Sequence, residues 1–295
     1  MDRRYPVAEF QADRFAPFFG EETEKLCVSF MTGGACNSNY LVETSKNEKF
    51  VCRIHKRGNP QAERKITQGL KGIIPVPATL WESEDLSVIA YIEGRHFTPS
   101  KPLVREAGRI IGRLRRISFE RSGEITPTGE VVGFKGWVSY KKGMLSLLHT
   151  EAVNSYLDEE LISKLEGILD QQTSILESFD RCHNLVHGDF SSDNILIEED
   201  RIVGVIDWEF AHSGSSYMDI GNFLRHLPEK WSDHLAIGLK EANFDLPEDW
   251  RFRSLLIDLT SHLEFLTSQR ADAFKQTCVD RILKFIKLNN EQGRI

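Results

Sequence analysis

The chain has 295 residues, 40% of them hydrophobic and 27% charged, and its formal net charge is -7. This composition excludes disordered and fibrous classes and suits one large domain or two lobes with a sizeable core. The negative balance argues against a nucleic-acid partner held by general phosphate neutralisation and favours cationic small molecules instead.

Residues 1–15 mix Asp2, Arg3, Arg4, Glu9 and Asp13 with apolar side chains and hold no apolar run long enough for a signal peptide or membrane helix. The expectation is a cytoplasmic protein, monomer or dimer, with no membrane partner. From residue 26 the chain reads as short β-rich segments at 26–31, 40–43, 50–55 and 88–91, with a hairpin turn at 45–48. Residues 61–70 fit one short helix, which Pro75 and Pro77 keep from running into the next strand. After Gly94 the apolar residues fall at three- and four-residue spacing over 103–114, 156–176, 250–266 and 274–288, as helices require. Short β-like runs at 185–187, 195–197 and 202–206 interrupt this helical half. The expected class is α+β, a β-rich lobe over 1–93 followed by a helical lobe over 94–295. The cysteines Cys27, Cys36, Cys52, Cys182 and Cys278 are scattered without metal-ligand spacing, so reduced thiols are expected and neither a zinc site nor a disulfide framework.

The most informative segment is His187-Gly188-Asp189-Phe190-Ser191-Ser192-Asp193-Asn194, which leads through an apolar strand to Ile206-Asp207-Trp208-Glu209. It resembles the catalytic and metal loops of kinases. Phosphoryl transfer needs an acceptor hydroxyl held in line, a group to take its proton, and metal to neutralise phosphate charge. Asp189 suits the first two tasks, and Asn194, five positions on, suits a magnesium ion through its amide oxygen. Asp207, at the end of the next strand, supplies the main metal carboxylate. Asp and Asn also shape turns between strands, and for any one of these residues that is the bland alternative. Their ordered occurrence together favours chemistry.

Earlier in the chain, Gly33-Gly34-Ala35-Cys36-Asn37-Ser38-Asn39-Tyr40 lies between two expected strands, where small residues and backbone amides of Gly33, Gly34, Asn37 and Ser38 suit close approach to phosphate oxygens. A Gly-Gly pair between strands is more often a plain hairpin, and the segment lacks the Lys of a Walker A loop. Arg105, Arg109, Arg113 and Arg116 form a basic stripe best read as a solvated helix face, and Trp231, Trp250, Phe252 and Phe265 read as core.

An HxDxxxxN loop followed by an IDxE segment resembles the aminoglycoside phosphotransferase and choline kinase superfamily. The continuation through Met218-Asp219-Ile220-Gly221-Asn222 to Arg225 sharpens the resemblance to antibiotic phosphotransferases of the viomycin and capreomycin kinase type. The resemblance implies a protein-kinase-like bilobal fold, with a small antiparallel β-sheet N-lobe carrying one helix and a larger, mainly helical C-lobe. It places Arg53 on the third strand against the phosphates, with Glu63 as its ion-pair partner on the following helix. Lys56 and Arg57 compete for the role of Arg53. The hinge falls at 87–94, with backbone groups of Ala90 and Ile92 on the purine edge. Asp219 and His187 become supports for the loop, since a buried carboxylate needs partners. Glu209, Asp193 and Glu264 are candidate carboxylates for an acceptor ammonium group.

The implied activity is transfer of the γ-phosphoryl of ATP or GTP, with Mg2+, to a hydroxyl of a small cationic acceptor, foremost an antibiotic. The alternatives are a metabolic kinase for choline, ethanolamine, homoserine or methylthioribose and, from another class, a nucleotide-binding pseudokinase. A protein kinase fits less well, because HGD and IDWE stand where HRD and DFG would be.

Overall fold

The computed structural model describes residues 5–32, 36–136 and 138–291. They group into two compact units that interleave along the chain. The first takes in Met1–Leu103, Ile125–Glu130 and Ser191–Ala211, and the second takes in Val104–Glu124, Val131–Phe190 and His212–Ile295. The expected split at 93/94 follows chain order, whereas these units exchange segments. The fold is mixed, with an antiparallel sheet in the N-terminal region and helices in the C-terminal region.

In the first unit, strands β1 (Cys27–Phe30), β2 (Ser38–Glu43), β3 (Lys49–Ile54), β4 (Thr79–Glu82) and β5 (Leu86–Ala90) form an antiparallel sheet in the order β1-β2-β3-β5-β4. The strand β4 was not expected: Pro75 and Pro77 masked it, and its pairing with β5 carries a register shift between Thr79 and Trp81. Alternation along β3 decides what each residue faces. Cys52 and Ile54 join Phe15, Val42, Leu86 and Val88 in an apolar core, while Val51 and Arg53 point to the other side. The helix Pro60–Leu70 starts where Asn59 caps it, accepting from the Ala62 N–H at 3.0 Å, with Pro60 at the position that needs no donor. Its buried stripe, Ala62, Glu63, Ile66, Thr67 and Leu70, brings Glu63 inward. Strands Ile195–Glu198 and Arg201–Val205 form a hairpin, and Arg95–His96 adds to its edge.

The second unit is built on the helix Trp250–Thr267, whose Phe252, Leu256, Ile257, Leu259 and Leu263 share a core with Met144, Leu148, Leu165, Phe179 and Ile282 of neighbouring helices. The expected helix over 156–176 is two, Glu159–Gln171 and Thr173–Asp180, with the break at Gln172. The helices Tyr140–Leu148 and Ser232–Glu241 lay outside the sequence reading, whereas the helix Tyr217–Leu224 carries buried Asp219 in its first turn, as the resemblance implied. Trp250 and Phe252 are buried as expected of core residues, whereas Trp231 is only half-buried. The basic stripe is a surface ion-pair network in which Arg105 and Arg109 meet Glu241, and Arg109 and Arg113 meet Glu106. Among the described residues no helix is long and apolar enough to cross a membrane.

Candidate active site

The first unit encloses a cavity of about 270 Å³. Val51 and Arg53 of β3, Glu63 and Thr67 of the helix, Ile89, Ala90, Tyr91 and Ile92 at the end of β5, and Leu196, Ile206, Asp207 and Trp208 line it together with Asn39, Gly94 and His96. Most of that wall is apolar, and one cluster of charge is set into it.

Arg53 is the centre of the cluster and is 6% exposed. Its Nη1 donates to Glu63 Oε2 and to Asp207 Oδ1, each at 3.1 Å, and its Nε donates to Asn39 Oδ1 at 2.9 Å. Register explains the last contact, because Asn39 of β2 is the Cα partner of Arg53 on β3. Burial works to lower the Arg53 pKa, and the charges of Asp207, Glu63 and Glu209 outweigh it, so the guanidinium stays protonated. Burial pushes Glu63 up to about 7 against the downward pull of Arg53. His55, buried and beside that guanidinium, is held down at about 3 and is therefore neutral.

Asp207 reaches the cluster through an unusual backbone. It follows the strand Arg201–Val205 with φ of 67°, a left-handed conformation that a side-chain-bearing residue adopts only when its surroundings impose it. The neighbouring bonds do impose it: the Ile206 N–H donates to the Asn194 carbonyl at 2.9 Å, and Trp208 Nε1 donates to the Val205 carbonyl at 3.0 Å. One peptide hydrogen bond therefore ties the segment of Asp207 to buried Asn194. Glu209 lies beyond it, accepting from Asn37 Nδ2 at 2.6 Å, and burial with the neighbouring Asp207 charge pushes its carboxyl up to about 8. Asn37 Oδ1 accepts the Lys56 and Arg57 N–H groups at 2.8 and 3.1 Å.

These contacts sort the expected residues. Arg53, Glu63, Ala90, Ile92 and Asp207 line one cavity, and Arg53 rather than Lys56 or Arg57 enters it. Asn37 stands apart from the cavity wall as a brace between Glu209 and the turn after β3. Ser38 is fully buried on the opposite face of β2 from Asn39, and its hydroxyl accepts from the Ala8 N–H at 2.9 Å. The Ala90 N–H donates to the Ala78 carbonyl at 2.8 Å. Gly33 and Gly34 lie outside the described residues. Asn39, which lines the cavity and accepts from Arg53, and Glu209, which accepts from Asn37, were not among the residues expected to form this cluster. Strand alternation sets Asn39 on the face opposite Ser38, and the register with Arg53 then brings its amide oxygen to the guanidinium.

The loop of Asp189 belongs to the second unit. Asp219, fully buried, accepts the N–H groups of His187 and Gly188 at 2.9 Å each, and burial pushes its carboxyl up to about 7. The Asp189 N–H donates to His187 Nδ1 at 3.2 Å, which makes His187 a loop anchor. Gly188 takes a φ of 82°, for which glycine is suited and the arginine of protein-kinase loops is not. Of the acceptor-side candidates, Glu209 and exposed Asp193 belong to the first unit and exposed Glu264 to the second.

The model of the phosphotransferase enzyme family matches residues 28–256. Homoserine kinase from Zymomonas mobilis is 25% identical over 226 residues, 70% of this chain and 66% of that protein. A probable acyl-CoA dehydrogenase from Arabidopsis thaliana, IBR3, is 43% identical over 286 residues, 81% of this chain and 33% of that protein. The chain thus spans less than two thirds of the length of either relative. A thermostable mutant of aminoglycoside phosphotransferase APH(4)-Ia, in a ternary complex with AMP-PNP and hygromycin B, shares the fold with a TM-score of 0.63 at 16% identity, over 94% of this chain and 97% of that one. A match over most of the chain, with the charged cavity and the anchored Asp189 loop behind it, makes this protein a member of the phosphotransferase enzyme family.

Proposed function

We propose that the chain transfers the γ-phosphoryl of ATP, with Mg2+, to a hydroxyl of a small acceptor. The observation that carries this reading is the Arg53, Glu63 and Asp207 cluster set into a mostly apolar cavity of about 270 Å³. The apolar wall takes the purine, with the Ile92 backbone at its edge. Arg53, kept charged and aimed by Glu63 and Asn39, binds phosphate oxygens through its planar fork.

The donor set fits magnesium. Asp207 and Asn194 offer a carboxylate and an amide oxygen, the hard ligands this ion selects. When bound, the ion neutralises charge on the phosphates. Asp189 accepts the proton of the acceptor hydroxyl as the oxygen attacks, and its loop is braced at His187 and Gly188 so that it meets the acceptor in one orientation.

For the acceptor, the motif resemblance over 187–225 and the net charge of -7 support a cationic antibiotic of the aminoglycoside or tuberactinomycin type. A metabolic acceptor is the second reading. Homoserine kinase aligns over 70% of the chain, and the 43% identity to a protein named as an acyl-CoA dehydrogenase adds hydroxyacyl thioesters to the candidates. The test is incubation with Mg2+ and ATP or GTP against aminoglycosides, tuberactinomycins, choline, homoserine and hydroxyacyl-CoA, with mass spectrometry for an added phosphoryl group. One acceptor class should gain it, and Asp189→Ala should lower kcat about 10²- to 10⁴-fold with nucleotide affinity kept. No modified acceptor together with no nucleotide binding would contradict the reading.

A further inference from the structure

The second unit holds a buried polar chain that runs from the middle of the helix Trp250–Thr267 to the loop of Asp189. Asp258 is 1% exposed, on a helix whose buried residues around it include Leu256, Ile257, Leu259 and Leu263. Its carboxylate takes the Arg225 guanidinium on two nitrogens, Nε donating to Oδ2 at 3.2 Å and Nη2 to Oδ1. His262 Nε2, one turn on, lies 3.2 Å from Oδ2. Arg225 Nη2 also donates to Asn222 Oδ1 at 2.7 Å, and Asn222 Nδ2 donates to the Gly188 carbonyl at 2.9 Å. Gly221 makes the approach possible. A Cβ there would lie 2.6 Å from the Ser254 carbonyl oxygen and 2.9 Å from Asp258 Cβ, so only glycine lets the helix Tyr217–Leu224 come this close to Asp258.

Stability alone is a weak reason for such a pair. Both charges give up their water, and an apolar pair of the same volume often serves the fold equally well. The geometry offers another reason. The two ends of an amide side chain are nearly the same in shape, so partners decide which way it points. Arg225 has only donors, so it accepts Asn222 Oδ1 alone as its neighbour, and this turns Nδ2 toward the Gly188 carbonyl. Reversed, the amide would set oxygen against oxygen at Gly188 and donor against donor at Arg225. With the Gly188 N–H on Asp219 and its carbonyl on Asn222, both polar groups of the residue before Asp189 are held, at a φ of 82°.

We infer that Arg225 and Asp258 are positioning residues: they lock the amide of Asn222 and thereby fix the backbone that carries Asp189. The effect on turnover rests on the proposed role of Asp189, while the effect on the loop backbone does not.

The double replacement Arg225→Met with Asp258→Leu removes both charges at similar volume and leaves neither charge orphaned. The expected variant melts cooperatively and binds ATP within about twofold of wild type, since Arg53, Glu63 and Asp207 are untouched, while kcat falls about 10- to 100-fold at little-changed acceptor KM. Hydrogen exchange at the His187 and Gly188 amides should accelerate by about tenfold or more. Unchanged exchange at those amides, or a kcat within about threefold of wild type, would overturn the inference. If the double variant does not melt cooperatively, Asp258→Asn, which keeps the shape and one acceptor oxygen, is measured with the same expectations. A wild-type chain that phosphorylates no acceptor would defeat the kinase reading, and the exchange rates would then decide the inference alone.

Discussion

Arg53 holds three oxygen partners within 3.1 Å while almost wholly removed from water, so its charge is both costly to bury and well compensated. Replacing it with Met should lower ATP affinity about 10- to 100-fold, the worth of charge-assisted bonds to phosphate, in a titration by calorimetry. The fold should survive, because Glu63 already stands near 7 and takes a proton when its partner leaves. A variant that binds ATP as tightly as wild type would remove Arg53 from the site. Asp219 offers a test by pH. Burial raises its carboxyl from the ordinary aspartate range near 4 to about 7, so the folded chain holds that proton more tightly than the unfolded one. Its contribution to stability is therefore complete below about pH 4 and is lost as pH rises to about 7. Asp219→Asn should start about 1–3 kcal/mol less stable, having lost one acceptor of a backbone N–H, and should show a flatter decline over that window in denaturant melts. Equal slopes in the two proteins would contradict the assignment.

At the scale of elements, periodicity explains what was legible. The strands β1, β2, β3 and β5 announce themselves by β-branched and aromatic runs between polar turns, and the helix Pro60–Leu70 was legible from residue 61 on. The loop from His187 to Asn194 was legible because a fixed order of polar residues between strands has few structural explanations. What the sequence hid has physical causes. The strand β4 follows two prolines and pairs irregularly, with a register shift between Thr79 and Trp81. Strand alternation separated Asn39 from Ser38 without saying which face meets the cavity, since that depends on which side the apolar core closes. The occupied Ala90 N–H is likewise a tertiary fact, because its partner Ala78 lies on a segment brought alongside by folding.

At the scale of the whole molecule, the two compact units are interleaved along the chain, and no local pattern reveals that. The segment Ser191–Ala211 lies nearly ninety residues beyond Leu103 yet belongs to the first unit, where it supplies Asp207 to Arg53 and the hairpin that pairs with Arg95–His96. A fragment of residues 1–103 should therefore lack a cooperative thermal transition, since it leaves Arg53 half compensated and one edge of its unit unpaired. A sharp melt of that fragment would show that the later segment is dispensable to the unit. ATP titrated into the wild-type protein and into Asp207→Ala across a series of Mg2+ concentrations tests the proposed metal role of Asp207. Affinity should rise with Mg2+ in the wild type and be indifferent to it in the variant; the same rise in both would remove Asp207 from that role.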